Sequence, residues 1–399
     1  MKIILFLIAV AAGFGLMGSS AAWAGWTAQS LHTVRSLHPG GDWFRSSANS
    51  VADGQIGGTT SYEEGTKPAV WLGPSSNDFV NLSQISGVVD GVGGGVQVGY
   101  IHSVAVWWRG SSNFYYVETG TNVDSSFLHD VDAGWAVGEF VPFAGEAAKY
   151  SYPMLWKLTN DYSEAGINLL PTNNENIVSG IIKGITGATT NDPGTQVGAV
   201  QQVNVWTASL WHGTPDSYVD LHPYHVTNGW NYSIAYAAYG AQQGGKVEFF
   251  DGEFTLDAHA ALWSGTSNSF QDLHPAQAPA GWMSTINGMT AQVKVGGLLG
   301  VIHADPSNSY VATTAGAWMG PSNTFINLGD FLPEEYTNSY AYGADWVSAG
   351  ELWVVGQAQN TARLNFTEAM LWIYTVPEPS AMVLFGGAAM LAGRLRRRR

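Results

Sequence analysis

Short apolar runs separated by Gly, Ser, Asn and Pro recur along the chain, and they recur in a fixed order. A strand-like run ends on a tryptophan, a Gly-Ser/Thr/Pro-Ser/Asn turn follows, and an aromatic-x-Asp/Asn-Leu run returns. Ala208-Ser-Leu-Trp211-His-Gly-Thr-Pro-Asp-Ser-Tyr-Val-Asp220-Leu-His-Pro223 reappears as Ala260-Ala-Leu-Trp263-Ser-Gly-Thr-Ser-Asn-Ser-Phe-Gln-Asp272-Leu-His-Pro275. Weaker copies run from Ala69 through Trp71 to Leu82 and from Gly316 through Trp318 to Leu328, and degenerate ones centre on Trp107 and Trp156. A final fragment stops at Trp372, while Ser36-Leu-His-Pro39 supplies only the second half of the phrase. Turn chemistry between two apolar runs predicts a β-hairpin in each copy.

A second hairpin fills the remainder of each period. Its first strand follows a serine, as in Ser47-Ala-Asn-Ser-Val-Ala, Ser233-Ile-Ala-Tyr-Ala-Ala and Ser284-Thr-Ile-Asn-Gly. Its second reads Val96-Gln97-Val98-Gly99-Tyr100, Gln196-Val-Gly198-Ala-Val200 or Val354-Val355-Gly356-Gln357. The tryptophans at 71, 107, 156, 211, 263, 318 and 372 are spaced by about 50 residues, a period that suits four-stranded propeller blades. The prediction is an all-β fold, a β-propeller of seven four-stranded blades. The half-repeats at the two ends combine into the last blade, which closes the ring and covers the faces a linear array leaves open. A misread weak copy near Trp107 or Trp156 would make the count six or eight. The Gly-x-Gln-Val-Val-Gly phrase together with the Ala-x-Trp strand resembles HAF-type extracellular repeats, and the resemblance covers nearly the whole body.

Both ends read as signals rather than structure. Lys2, the apolar run Ile3 to Met17 and the small-x-small site Ala22-Trp23-Ala24 predict a secretory signal peptide over residues 1–24, cut before Gly25. Residues 25–375 are then the propeller and 376–399 a sorting tail. In that tail Val376-Pro377-Glu378-Pro379 precedes an apolar run from Ser380 to Gly393, which ends in Arg394-Leu-Arg396-Arg397-Arg398-Arg399. The prolines place the helix start after them, and the arginines hold the C-terminus on the cytoplasmic side. The apolar run is marginal for a bilayer core that takes roughly 20 residues. The tail resembles the PEP-CTERM sorting signal of Gram-negative bacteria that export exopolysaccharide. The resemblance implies an exosortase-type membrane protease as partner and transient inner-membrane anchoring. It also implies a destination at the cell surface or in the extracellular matrix; a plain, uncut membrane anchor is the alternative.

Charge narrows the partners. The chain has 16 Lys and Arg against 31 Asp and Glu, a formal net charge of −15, and several of the cations sit in the two signals. Such a body repels nucleic acid and anionic lipid and favours cations or neutral partners; a polysaccharide or a matrix protein is the partner that the destination implied by the tail suggests. Cysteine is absent, which a core of this size tolerates even in an oxidising compartment.

Few residues look chemical. The Gly-x-Ser-x-Gly elbow, the His-Glu-x-x-His zinc site and the phosphate-binding Gly-x-x-x-x-Gly-Lys-Ser/Thr loop are missing, so no catalytic residue, metal site or cofactor is read. His38, His222 and His274 recur in Leu-His-Pro, the later pair with Asp220 and Asp272 two residues before. One copy per blade points to a strand-end role. Trp43, Trp230 and Trp282 follow the same loop, and are read either as packing or as a set of aromatic plates for sugar faces. Asp251, Glu253 and Asp257 form the densest acidic patch, read as a solvated loop. Gly91 to Gly95 reads as a turn, and the polar stretch Asn173 to Asp192 as a long mobile loop. The leading functional reading is a non-enzymatic binding or scaffold propeller. An alternative is a propeller-fold glycan hydrolase or lyase using residues outside the repeat, such as His129, Asp130 and Asp132, or Glu334 and Glu335. A self-assembling matrix component is a third.

Overall fold

A two-residue hairpin turn matches the twist of its strands when both residues take positive φ. The chain supplies such pairs at Asp53-Gly54 (φ 53° and 74°), Gly94-Gly95 (58° and 75°) and Ala133-Gly134 (45° and 84°). They join β2 (Arg45–Ala52) to β3 (Gln55–Tyr62), β6 (Gly87–Gly93) to β7 (Val96–Ile101), and β10 (Val123–Asp132) to β11 (Trp135–Pro142). The turn read over Gly91 to Gly95 thus narrows to two residues, the rest belonging to strands. The computed structural model describes residues 25–32, 45–62, 65–120, 123–143, 150–159, 162–203, 205–226, 229–251, 255–305 and 308–376. The predicted signal peptide, His38, Trp43, Glu253 and the tail from Pro377 through Arg399 lie outside them.

Each of these hairpins opens a four-stranded antiparallel sheet, and seven such sheets occur. They span residues 45–81, 87–116, 123–168, 177–220, 232–272, 283–327, and 336–375 joined by 25–30. The innermost strands are β2, β6, β10, β14 (Ile177–Thr186), β18 (Tyr232–Tyr239), β22 (Met283–Thr290) and β26 (Tyr336–Ser348). Successive members pack side by side and β26 packs against β2, so the ring closes. The protein is a seven-bladed β-propeller. Closure follows the predicted sharing of one blade: β1 (Gly25–Ser30) is the outermost strand of the seventh blade and pairs with β28 (Phe366–Thr375), from Gly25 opposite Thr375 to Ser30 opposite Met370.

Side chains repeated once per blade hold the blades together. The anchor tryptophans are fully buried. In four blades the indole N–H donates to a carbonyl just after the outer strand of the preceding blade. These bonds run from Trp71 to Leu31, Trp156 to Glu118, Trp318 to Leu273 and Trp372 to Leu328, at 2.8–3.0 Å. In the second blade the register assigns this place to Trp108, which pairs with Gln97, rather than to its neighbour Trp107. Both are buried, so burial periodicity alone does not separate them.

A second latch uses a serine near the start of the inner strand in five blades. Ser46, Ser126, Ser233, Ser284 and Ser339 accept the N–H of Ala369, Ala105, Ala208, Ala260 and Ala315 in the preceding blade, at 2.8–2.9 Å. In three of them a histidine Nδ1 meets the same hydroxyl at 2.9 Å: His32 with Ser46, His222 with Ser233, and His274 with Ser284. The histidines of the repeat therefore serve the blade junction. In the shared blade the histidine at this place is His32, six residues before His38, because Leu31-His32 directly follows β1.

The stretch Asn173 to Asp192 is not a loop. Its centre forms β14, the innermost strand of the fourth blade, with Ile177, Ile182 and Ile185 in the core. Polar flanks on both sides masked ten residues whose apolar positions are those of a strand.

Candidate functional site

Every innermost strand carries a β-bulge at the same place. Pairing with the second strand slips between Ala48 and Ser50, Val89 and Gly91, Leu128 and Asp130, Ile182 and Gly184, Ala235 and Ala237, Ile286 and Gly288, and Ala341 and Gly343. A bulge re-aims the extra residue. The seven extra residues are Asn49, Asp90, His129, Lys183, Tyr236, Asn287 and Tyr342, one per blade, and all line an axial cavity of about 670 Å³.

The cause of the bulge lies in the second strand. Gly58, Gly99, Gly138, Gly198, Gly245, Gly296 and Gly356 each stand where an added Cβ would come within 1.9–2.0 Å of an inner-strand carbonyl oxygen. That carbonyl belongs to the residue two before the bulged one, from Ser47 O against Gly58 to Tyr340 O against Gly356. Only glycine admits the close approach. A Val-Gly pair is thus the sequence mark of the bulge in five blades, and Gly57-Gly58 and Gly244-Gly245 replace it in the first and fifth.

The ring is polar and unequal around its circumference. Asn49 Nδ2 donates to Val89 O at 2.9 Å and Asn287 Nδ2 to Ala341 O at 2.8 Å, each tying its bulge to the next blade. Burial keeps the hydroxyls of Tyr236 and Tyr342 protonated, the latter pushed up to about 12. Charge gathers between the second and fourth blades. His129 Nδ1 lies 3.6 Å from Asp90 Oδ2, and its Nε2 lies 3.4 Å from Glu139 Oε1 and 2.9 Å from Lys183 Nζ. In its neutral form His129 accepts from Lys183; in its charged form Nε2–H turns to Glu139. Burial and the Lys183 charge pull the imidazolium down, but hydrogen bonds to Asp90 and Glu139 and the Glu139 charge outweigh them, so the net shift is upward. Burial raises Glu139, while the His129 hydrogen bond and the Lys183 and His129 charges leave it below its ordinary value. With His129 charged, two cations face two carboxylates.

Asp130 and Asp132 line the same cavity, but their oxygens are engaged across the blade junction. Asp130 Oδ2 accepts the Ile185 N–H at 3.0 Å and its Oδ1 the Val131 N–H at 2.9 Å; Asp132 Oδ2 accepts from Ala188 at 2.9 Å. Asp53 does the same for Gly94 at 2.8 Å, and Asp345 for Asp53 at 3.0 Å. Asp132 therefore has a counterpart in Asp345, contrary to the sequence reading, whereas Asp130 stands where Gly91 and Gly343 stand in other blades; both act as clasps. Glu334 and Glu335 are exposed and precede β26, at the opposite end of that strand from the cavity residues Tyr342 to Asp345. His129, Asp130 and Asp132 thus come together in the axial cavity, and Glu334 and Glu335 lie apart from it.

Burial, with the charge of Asp132 adding to it, pushes Asp130 up to about 7 even though two backbone N–H groups favour its anion. The folded chain holds that proton to near neutrality, whereas the unfolded chain releases it near 3.8. Its contribution to stability is therefore whole below the unfolded value and lost as pH rises through about 7. Asp130→Asn, neutral throughout, is expected to lose roughly 2–3 kcal/mol less than wild type between about pH 5 and pH 8. Urea midpoints at the two pH values check this, and parallel losses would remove Asp130 as the cause.

Trp230 and Trp282 are half-buried. Trp230 leans on His259 of its own blade, with ring centroids 4.9 Å apart, and Trp282 lies across Gly300, where a Cβ would come within 2.4 Å of the indole. His259 stacks on His274 at 4.2 Å, and its Nδ1 binds Asp272 Oδ2 at 2.7 Å. Asp257 Oδ2 lies 3.7 Å from His259 Nε2, so this acidic residue belongs to an ion-paired group. Among the described residues no group of three or more His, Cys, Asp or Glu is placed to hold a metal ion. No helix among them is long and apolar enough to cross a membrane.

Fold and cavity together define a seven-bladed propeller with a polar axial site. No family model and no curated protein matches the chain. Among solved structures it is similar to a subtype N11 neuraminidase-like protein of a flat-faced bat H18N11 strain, at 12% identity and TM-score 0.40, over 88% of this chain and 94% of that one. It is also similar to a protein of unknown function from Dyadobacter fermentans, at 9% identity and TM-score 0.38, over 84% and 96%. The WD40 domain of SCAP from fission yeast matches at 8% identity and TM-score 0.36, over 88% and 98%. These likenesses carry no argument about the site, and the class of the protein rests on its own strand topology.

Proposed function

We propose that this chain is an exported, non-enzymatic propeller that binds a glycan of the extracellular matrix in its axial cavity. The observation that carries the reading is the sevenfold bulge, which turns one polar side chain per blade into a single cavity. At about 670 Å³ the cavity falls within the size range of small-ligand sites. Two tyrosine hydroxyls, two amides and a neutralised charge group offer donors and acceptors suited to sugar hydroxyls. The carboxylates nearest the axis are tied to backbone N–H groups or to His129 and Lys183, which favours binding over acid–base chemistry. Export is supported by the predicted processing points. The expected signal cleavage releases Gly25, the first residue of β1, and the sorting tail begins at Val376, whose N–H still donates to Gly350 O. An exosortase-type protease is the partner this reading requires.

The test is a glycan array, including bacterial exopolysaccharide, probed with residues 25–376. Binding that falls about tenfold in the Tyr236→Phe/Tyr342→Phe double variant, which loses two hydroxyls and little volume, supports the axial site. Binding lost instead in Trp230→Ala/Trp282→Ala, with the fold intact, moves the site to the loop tryptophans. Shortened polymer favours a hydrolase or lyase. Silence across the array, with concentration-dependent self-association in sedimentation, favours a structural matrix component.

A further inference from the structure

The second strand of the sixth blade carries a charge at a buried position that is apolar in three blades, as Ile56, Ala136 and Val354, and glutamine in three others. Two residues before the bulge glycine, Gln97, Gln196 and Gln243 stand in the second, fourth and fifth blades, each opposite an anchor tryptophan. Each glutamine is satisfied at both ends of its amide. The oxygens accept the N–H of Gly110, Gly213 and Gly265 at 2.6–2.8 Å. The nitrogens donate to Gly95 O, Pro193 O and Ala241 O, and that of Gln97 also to Gln55 Oε1. In the sixth blade the same place, opposite Trp318, holds Lys294.

Lys294 is 4% exposed, yet among the described residues its ammonium has one hydrogen-bond acceptor, Asn323 Oδ1 at 3.0 Å, and no carboxylate partner. The Gly320 N–H that a glutamine would have held donates to Gln292 O instead, at 3.1 Å. An ammonium has three donors, and burying it with one partner is costly unless something else completes the set. The lysine borders a separate cavity of about 340 Å³ between the fifth and sixth blades, where Gln242, Gln271, Gln292 and Asn323 add amide groups. Burial holds the ammonium below its ordinary value, which a bound anion would offset.

We propose that the Lys294 cavity binds the carboxylate of a uronate unit. The ammonium pairs with the carboxylate, and the surrounding amides take the ring hydroxyls, since an amide both donates and accepts. The volume is at the lower end for small-ligand sites and suits one sugar ring. Repulsion from a chain of net charge −15 makes a chance anion site improbable elsewhere on this surface, but here the cation stands alone among amides. One hairpin turn of the fifth blade reaches both cavities, Tyr239 and Gly240 bordering the axial one and Gln242 the other. The sugar part of this inference rests on the glycan reading above; the carboxylate part rests on Lys294 alone.

Isothermal titration and ligand-detected NMR on residues 25–376, with D-glucuronate, D-glucose and acetate as probes, test it. Glucuronate is expected to bind, and Lys294→Gln to weaken it by about tenfold or more, the worth of a charge-assisted hydrogen bond. Lys294→Gln installs the residue that three sibling blades carry, so its thermal transition should stay near wild type; Lys294→Met is the second variant should it not. Glucose and acetate should each bind more weakly than glucuronate. Unchanged glucuronate affinity in both Lys294 variants, or no glucuronate binding to wild type, would overturn the proposal. Acetate binding as tightly as glucuronate would overturn its sugar part. Glucuronate binding lost in Tyr236→Phe/Tyr342→Phe but kept in both Lys294 variants would place the uronate in the axial cavity and overturn the proposal, while leaving the glycan reading of that cavity standing.

Discussion

A chain shortened to begin at residue 33 is expected to lose its cooperative thermal transition, or to melt at least about 10 °C lower than one beginning at residue 25. The eight missing residues include all of β1. Their loss exposes the ladder edge of β28 and withdraws Leu31, which is fully buried. It also leaves Trp71 Nε1–H without the Leu31 carbonyl and Ser46 without His32. Burying one leucine is worth about 1.5–3 kcal/mol and each orphaned buried polar group costs about 1–3 kcal/mol. The sum approaches the whole stability of an ordinary domain. The ring is closed at this one junction by a strand from the opposite end of the chain, so the loss is not confined to one blade. Differential scanning calorimetry of the two chains checks it. Partial recovery on adding a peptide of residues 25–32 would identify the missing strand as the cause, because an extended peptide pairs readily with an open sheet edge. An unchanged transition would mean that the seventh blade is stable with three strands.

Gly198→Ala is expected to cost about 3 kcal/mol or more and to disturb the axial site as well. Its Cβ would come within 1.9 Å of the Ile181 carbonyl oxygen, a backbone atom held between Gly180, paired with Val200, and Ile182, paired with Gly198 itself. Relief requires either that β14 separate from its neighbour or that the bulge flatten. Flattening moves Lys183 away from His129, since the bulge is what aims Lys183 at the axis. Gly54→Ala is the matched control. Gly54 has φ 74° but open space around the added Cβ, so only the backbone conformation is strained, at about 1 kcal/mol. Urea unfolding of the two variants, together with glycan binding by Gly198→Ala, measures both effects. Equal costs would show that the close approach is not what demands glycine.

The architecture was largely legible in the residues. Trp71, Trp156, Trp211, Trp263, Trp318 and Trp372 mark the third strand of their blades, and the half-repeats at the two ends meet as β1 and β28. These features are local: a strand ending on tryptophan, a turn of small polar residues and a return strand are written in consecutive positions. The shift from Trp107 to Trp108 is a one-residue register, which two adjacent buried indoles do not declare. The strand hidden in Asn173 to Asp192 and the junction role of His32 in place of His38 depend on which hydroxyl or core lies opposite.

The axial site was the least legible part. Strict alternation along an inner strand would send Asn49, Asp90 or Lys183 to a face chosen by parity, but the bulge resets that parity in every blade. The alternation therefore misleads at the one position that reaches the axis. Asp130 and Asp132 illustrate the reverse case, for they look chemical in sequence and prove to be clasps once Ile185 and Ala188 are brought beside them. Sequence by itself determined the blade, the blade count and the manner of closure, because these follow from short-range hydrophobic order repeated along the chain. Only the tertiary structure decided which side chain of each blade faces the axis and which carboxylates are already engaged. It also decided that Lys294 is left with one partner, because each of these depends on atoms brought together from different strands or blades.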